Sequence, residues 1–342
     1  MIQTEALIIG AGPVGLFQAF QLGLQDIRCH VVDALPQVGG QCVELYANKP
    51  IYDIPGIPLC TGQELIDQLQ QQIKPFAPQF HLQELVSELK ATEDGQWQVQ
   101  TDKGTQFKAA TVFIAAGVGA FVKRGLSLPG FDELLDHQIF HTAPHAESFK
   151  GQHLVVLGDS DSALEACAQW RQGVNASASV TLVHRRDQFQ ASPHAIEDMR
   201  QACASKTMRF VAGQPTGLIQ ANGRLTGLEI LNAQGDTEVL PTDALLLCLG
   251  VSPKLGPLSD WGLAMERKQL PVNTENYATE ASGIFAVGDI NTYPGKKKLI
   301  LCGFHEATLA AFGASALLRP DQKTLLQYTT TSTHLQKLLG VS

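Results

Sequence analysis

Residues 5–33 read EALIIGAGPVGLFQAFQLGLQDIRCHVVD, and the fold is decided there. Residues 6–9 form a short apolar run that stops at Gly10-Ala11-Gly12-Pro13-Val14-Gly15. Residues 16–22 read as helix and 27–32 as a second strand, closed by an acid at Asp33. A strand, a glycine turn, a helix and a second strand ending in a carboxylate make the context a dinucleotide fingerprint requires. Gly10 permits the tight turn, Gly12 lets backbone approach a pyrophosphate, and Gly15 lets the helix pack closely on the sheet. The helix N-terminus offers unpaired N–H groups to phosphate. Asp33 stands where a carboxylate accepts the hydroxyls of an adenosine ribose.

Composition narrows the rest. A chain of 342 residues is long for one core and suggests two domains. Hydrophobic residues at 44% and charged residues at 17% are ordinary for a folded soluble protein. No apolar run is expected to span a bilayer, and the start MIQTE is no signal peptide. The net charge of -8 argues against nucleic acid as a partner, because phosphate contacts need a cationic face. Seven scattered cysteines with no CxxC fit neither a disulfide framework nor a metal site, and point to a reducing cytoplasm.

Outward from the fingerprint, Gly39-Gly40 can turn against a ligand, and Gln41 can hydrogen-bond near a heterocycle. Thr61 with Glu64 makes a capping box for a helix over 62–73. Residues 80–86 and 96–101 read as strands, with a turn at Asp94-Gly95, and Val86 reads as a core residue. Residues 107–117 form a strand ending in small residues, which suits backbone pressed against a nucleotide.

The same design then recurs. Residues 153–157 form a strand, Gly158-Asp159-Ser160-Asp161-Ser162-Ala163 turns into a helix reaching Arg171, and 180–183 form a strand ending in His184-Arg185-Arg186. Repetition of one supersecondary unit implies two nucleotide pockets. Their strand tips differ in charge. Asp33 suits bare ribose hydroxyls, as in FAD or NAD, whereas Arg185 and Arg186 suit a 2′-phosphate, as in NADP(H), unless they are a solvated basic pair. His184 either stacks on adenine or packs locally. Asp159 is expected to face away from the pyrophosphate, and Asp161 to cap its helix. Asn222-Gly223 is a hairpin turn, and 244–250 returns the chain towards the first domain. Residues 284–287 form a strand before a Gly288-Asp289 turn, and 305–318 a helix. Three lysines at 296–298 read as a solvated loop or a site steering an acidic protein, with phosphate ligands as a third reading.

Taken in order, GAGPVGL, VGGQC, YDIPG, the turn at Gly158, HRR, GIFAVGD, YPGKKKLI and the Thr/Ser-rich tail resemble the thioredoxin-reductase-like ferredoxin (flavodoxin)–NADP reductases over essentially the whole chain. The resemblance implies an α/β fold of two Rossmann-like, three-layer ββα nucleotide-binding domains, the NADP domain inserted in the FAD domain. The divisions expected are 1–120 and 252–342 for FAD and 121–251 for NADP(H). It further implies a homodimer, with ferredoxin or flavodoxin as partner, no membrane association, and hydride transfer from NADPH to flavin N5 followed by single-electron steps to the carrier.

Carried over by position, Gly10, Gly12, Pro13, Gly15, Asp33, Gly40, Gln41, Tyr46, Val86, Phe121, Asp289 and Thr330 would hold FAD. Gly158, Ser162, His184, Arg185 and Arg186 would hold NADP(H). No side chain is assigned as an acid–base or nucleophilic catalyst. The chain departs from the pattern in three places: no CxxC lies in 140–149, which removes dithiol exchange, Ser160 stands where a glycine is usual, and Gln190 where relatives have arginine. The other readings are an NAD(P)H oxidase or reductase for a small acceptor, and a flavin-bound regulatory protein with a degraded second site.

Overall fold

The computed structural model describes residues 1–143, 149–171, 179–322 and 326–341. The chain divides into two compact units, residues 1–121 with 253–342, and residues 122–252.

The first unit is built on β1 (Ile2–Ile9), α1 (Pro13–Leu24) and β2 (Cys29–Asp33), the order read from the fingerprint stretch. It continues with α2 (Gln41–Tyr46), α3 (Gly62–Ile73), β3 (Gln79–Leu82), β4 (Val86–Ala91), β5 (Trp97–Thr101) and β6 (Gln106–Ile114). Strand order is β3-β2-β1-β6-β5-β4, the first three joints parallel and the last two antiparallel. A late strand, Ile284–Ala286, pairs parallel with Val112–Ile114 on the β6 edge whose earlier residues carry β5.

β1 reads as a continuous apolar run because both faces of the sheet are covered. Ala6 and Ile8 pack with Leu16, Ile66 and Ala310 on the helical face. Leu7 and Ile9 pack with Leu89, Val99 and Phe107 of the antiparallel arm. The layers are therefore arm, sheet and helices. Thr61 and Glu64 form the expected capping box of α3, with both reciprocal hydrogen bonds made.

The second unit repeats the plan. Four strands are β7 (His153–Gly158), β8 (Ser179–His184), β9 (Arg209–Ala212) and β10 (Ala244–Cys248), with α4 (Asp161–Arg171) and α5 (Pro193–Ala204) between them. They lie in the order β10-β7-β8-β9, all parallel, with the short strand Ile139–Phe140 beyond β10. Val156 and Leu182 face Cys167 and Trp170 of α4. Val155 and Leu157 face Leu228 and Ile230 of a three-stranded antiparallel layer. Asn222 and Gly223 take the left-handed conformations of the hairpin turn expected there.

Several expectations need correction. The single strand over 80–86 is two strands, because Gln83 adopts φ 58° and the chain turns there to hydrogen-bond Leu35 and Asp33. The helix expected from 305 begins at Ile300 and is α6 (Ile300–Leu318); Leu299 at its cap makes no side-chain cap bond, so no capping residue marked the start. α6 is also, by length and composition, apolar enough to cross a bilayer, contrary to the expectation that no run is. Its inward face buries Ala307, Ala310, Ala311 and Ala314 with an ion-paired Glu306, the pattern of a core helix. A further helix, α7 (Thr333–Leu338), lies in the polar tail, capped by the Ser332 hydroxyl.

Candidate functional site

In the first unit a cleft opens at the C-terminal ends of β1 and β6, where strand order reverses. That switch point is where open α/β sheets bind ligands. Gly10 leaves β1 with φ 110°, its N–H donating to Val32 O at 2.8 Å. A Cβ there would meet Ala115 O at 2.4 Å, and one on Gly15 would meet Gly10 O at 1.9 Å. These two glycines therefore serve close packing of the turn, and Gly15 does not line the cleft. Gly12 differs: a Cβ there would meet nothing within 4 Å, so its bare backbone borders open cleft. It is also the cap of α1, with no side chain satisfying the first N–H groups. An open backbone at a bare helix N-terminus fits a pyrophosphate.

Asp33 sits at the tip of β2. Its carboxylate accepts the Ala11 N–H at 2.6 Å and the Leu35 N–H at 2.8 Å. Burial raises its carboxyl above the usual carboxylate range, partly opposed by those two donors, with the nearby Glu44 charge adding to the rise. Each oxygen keeps a further lone pair for a ribose hydroxyl. Gly40, Gln41 and Tyr46 reach the same cleft from α2. The Gln41 amide lies 3.4 Å from the position a Cβ on Gly117 would take. The Tyr46 hydroxyl accepts from the Cys42 thiol at 3.5 Å, and burial holds its phenol well above the ordinary range.

Val86, buried at the head of β4, lines the cleft, as do Pro13 and Asp289. Thus Gly10, Gly12, Pro13, Asp33, Gly40, Gln41, Tyr46, Val86 and Asp289 share one cleft. Thr330 does not join them; it is exposed, its carbonyl accepting from the Gln336 side chain at 3.3 Å. Phe121 lies in the strand Ala120–Lys123, and its side chain is outside the described residues.

Sequence reading missed three parts of the lining. Glu84 and Leu85 enter through the turn that splits the expected strand, and Glu84 accepts the Thr101 hydroxyl at 2.7 Å. Leu255, Pro257, Leu258 and Trp261 form a wall from the returning chain. Lys298, Leu299 and Ile300 bring in the N-terminus of α6. The apolar run from Leu299 was the only signal for that helix start.

In the second unit, Gly158 and Ser162 lie at the end of β7 and the start of α4, and His184 ends the neighbouring β8. A Cβ on Gly158 would meet Cys248 O at 2.6 Å, so glycine is required for β7 to pack against β10. Ser160 and Ser162 share a hydroxyl hydrogen bond at 2.9 Å. The Gln190 N–H donates to Asp159 O at 2.8 Å, which anchors the loop after β8 to this turn. His184 packs locally: Nδ1 meets Arg186 O at 2.9 Å, Nε2 lies 3.6 Å from the Asp159 carboxylate, and its ring lies 6.2 Å from that of Phe189. Asp161 does not cap its own helix as expected; it accepts the Ser192 N–H at 2.8 Å, at the start of α5. Arg185 and Arg186 are exposed and form no ion pair among the described residues.

The lysine run is split by the structure. Lys297 and Lys298 are exposed, but Lys296 is 7% exposed and pairs with a fully buried Glu306 at 2.5 Å, so it is no part of a solvated loop.

Residues 4–308 match the family described as pyridine nucleotide-disulphide oxidoreductase. The chain belongs to that family. Within it, the chain is 53% identical to a ferredoxin–NADP reductase of Polaromonas sp. strain JS666, covering 99% of this chain and 93% of the relative. It is 54% identical to a protein of the same name from Paracidovorax citrulli, covering 100% and 97%. Solved members of similar fold include thioredoxin reductase from Lactococcus lactis, with TM-score 0.55, 21% identity and coverage of 93% and 99%. Bacillithiol disulfide reductase from Staphylococcus aureus has TM-score 0.59, 16% identity and coverage of 94% and 100%. The resemblance and the α/β fold read from the motifs both hold. Unlike the disulphide chemistry in the family's name, all seven cysteines here are free thiols, and no CxxC is present.

Proposed function

We propose that the chain is an FAD-dependent ferredoxin–NADP reductase, with FAD in the first cleft and NADP(H) at the tips of β7 and β8. The observation that carries this reading is the pairing of full-length relatives bearing that name with two nucleotide-type turns whose strand tips are oppositely charged. Bound FAD supplies the exchange between two-electron hydride and single electrons.

The chain's own groups do the rest. Gly12 and the start of α1 receive the pyrophosphate, Asp33 takes ribose hydroxyls, and Asp289 orients the middle of the cofactor. Tyr46, Leu258 and Trp261 exclude water from the cleft. Exposed Arg185 and Arg186 would receive a 2′-phosphate, and Ser162 and the start of α4 the pyrophosphate. Ser160 and Gln190 do not abolish the second turn: the serine is accommodated by its bond to Ser162, and Gln190 holds the turn through its backbone.

Exposed Lys297 and Lys298 beside the cleft suit an acidic carrier, ferredoxin or flavodoxin, through steering rather than tight binding. A homodimer and a cytoplasmic setting, consistent with seven free thiols, complete the reading.

The test is anaerobic titration of FAD-reconstituted protein with NADPH, followed by addition of oxidised ferredoxin. Bleaching of the flavin bands and then reduction of ferredoxin are expected. A protein that acquires no flavin spectrum, or whose spectrum NADPH leaves unchanged, overturns the proposal.

A further inference from the structure

Beneath the Gly288-Asp289 turn lies a buried ion pair to which the reading above gives no role. Glu306, in the second turn of α6, has no solvent exposure, and its carboxylate collects four donors. They are the Gly288 N–H at 2.7 Å, Asn291 Nδ2 at 2.9 Å, the Tyr293 hydroxyl at 2.9 Å and Lys296 Nζ at 2.5 Å. A carboxylate offers about four acceptor positions, so this one is filled. Lys296 Nζ donates in addition to the Gly288 carbonyl at 2.9 Å. Gly288 is thus gripped twice, by its N–H through Glu306 and by its C=O through Lys296.

Such a pair is a poor way to gain stability alone. Desolvation costs several kcal/mol per ion, and apolar residues of similar volume commonly pack as well or better. What the ions supply is direction, because they fix the peptide group on each side of one glycine. That glycine has φ 77°, rests over Val14 of the glycine-rich turn, and lines the cleft with Asp289. Val14 also abuts Gly303 of α6, where a Cβ would meet it at 2.4 Å. The start of α1, the 288–289 turn and the start of α6 therefore converge on the clasp.

We propose that Glu306 and Lys296 are positioning residues for the cofactor: a charge-neutral clasp that aims Asp289 and the first turn of α6 into the cleft. The proposal rests on the assignment of FAD to that cleft. Neither residue touches the cleft itself, so each acts through Gly288.

The decisive variant is the full chain carrying E306L and K296M together, which replaces the pair by apolar side chains of similar size. The expected result is a lowered melting temperature, because the Gly288 N–H and the Tyr293 hydroxyl lose their buried acceptor, with an FAD dissociation constant raised about tenfold or more and a displaced flavin absorption band. Amide exchange in a peptide spanning 287–293 should accelerate by a similar factor in the cofactor-free protein. E306Q, which puts an amide NH2 where one carboxylate oxygen accepted two of the four donors, should move affinity and exchange the same way. Y293F, which removes a donor that does not touch Gly288, should stay within about twofold of wild type. Wild-type affinity and protection in the double variant would overturn the clasp. So would Y293F matching E306Q, which would make the cluster general core support. If the wild-type chain fails to bind FAD, the cleft assignment falls, and the exchange measurement on cofactor-free protein still decides the clasp.

Discussion

The Asp33 carboxylate and the Ala11 N–H meet at 2.6 Å, so the acid at the tip of β2 holds the glycine turn at the end of β1. A residue read from sequence as a ribose ligand is thus also a latch on the phosphate cradle.

Burial raises the Asp33 carboxyl above its ordinary value, which carries a signed pH dependence. Folded Asp33 keeps its proton to higher pH than the unfolded chain does. Its favourable contribution is complete below the ordinary value, about 4, and is lost as pH rises through the elevated folded value. Asparagine does not titrate. In cofactor-free protein, the urea midpoint of D33N relative to wild type should therefore move in favour of D33N between pH 4 and 7. At neutral pH the same variant should bind FAD about tenfold or more weakly, measured by flavin fluorescence.

Two glycines of the fingerprint should separate binding from folding. Gly12 has φ -70° and open space where a Cβ would go, so G12A should fold with stability within about 0.5 kcal/mol of wild type. Its methyl group would occupy the cleft, and FAD affinity should fall about tenfold or more. In G15A the added carbon would lie 1.9 Å from Gly10 O, and a loss of about 3 kcal/mol or more in urea unfolding is expected.

Arg185 and Arg186 are exposed and unpaired among the described residues, so removing them should disturb no ion pair described here. R185Q/R186Q should raise the KM for NADPH by about tenfold to a hundredfold and leave that for NADH nearly unchanged. Steady-state reduction of an artificial acceptor with each nucleotide measures this. Equal losses with both would show that the pair does not read the 2′-phosphate.

Thr61 accepts the Glu64 N–H at 3.2 Å while Glu64 accepts the Thr61 N–H at 2.7 Å. T61A should cost about 1 kcal/mol of first-unit stability in urea unfolding. The second unit's transition should stay in place if the two units unfold separately.

What was legible in the sequence was what short-range chemistry determines. The fingerprint declared itself because Gly10 and Gly15 sit where no Cβ fits, and such positions tolerate few substitutes. The Thr61 box and the Asn222-Gly223 turn are equally local. The clasp was not legible, since Lys296 stands in a run of three lysines and finds Glu306 only when the loop folds under α6. Asp161 looked like a cap for its own helix, yet its partner is Ser192, which the loop after β8 delivers. The Leu255–Trp261 wall is apolar surface with no motif, assigned to the cleft only once the chain returns. In each case tertiary contact overrode a local preference.

The strand Ile284–Ala286 completes the first unit's parallel sheet against β6, although about 170 residues of chain separate them. On the ribosome, at roughly 5–20 residues per second, the first unit waits on the order of ten seconds or more with that edge of β6 uncovered. The second unit, contiguous in the chain, can close during the interval. The insert can thus mature ahead of its host, leaving a bare strand edge of the kind a nascent-chain chaperone would shield.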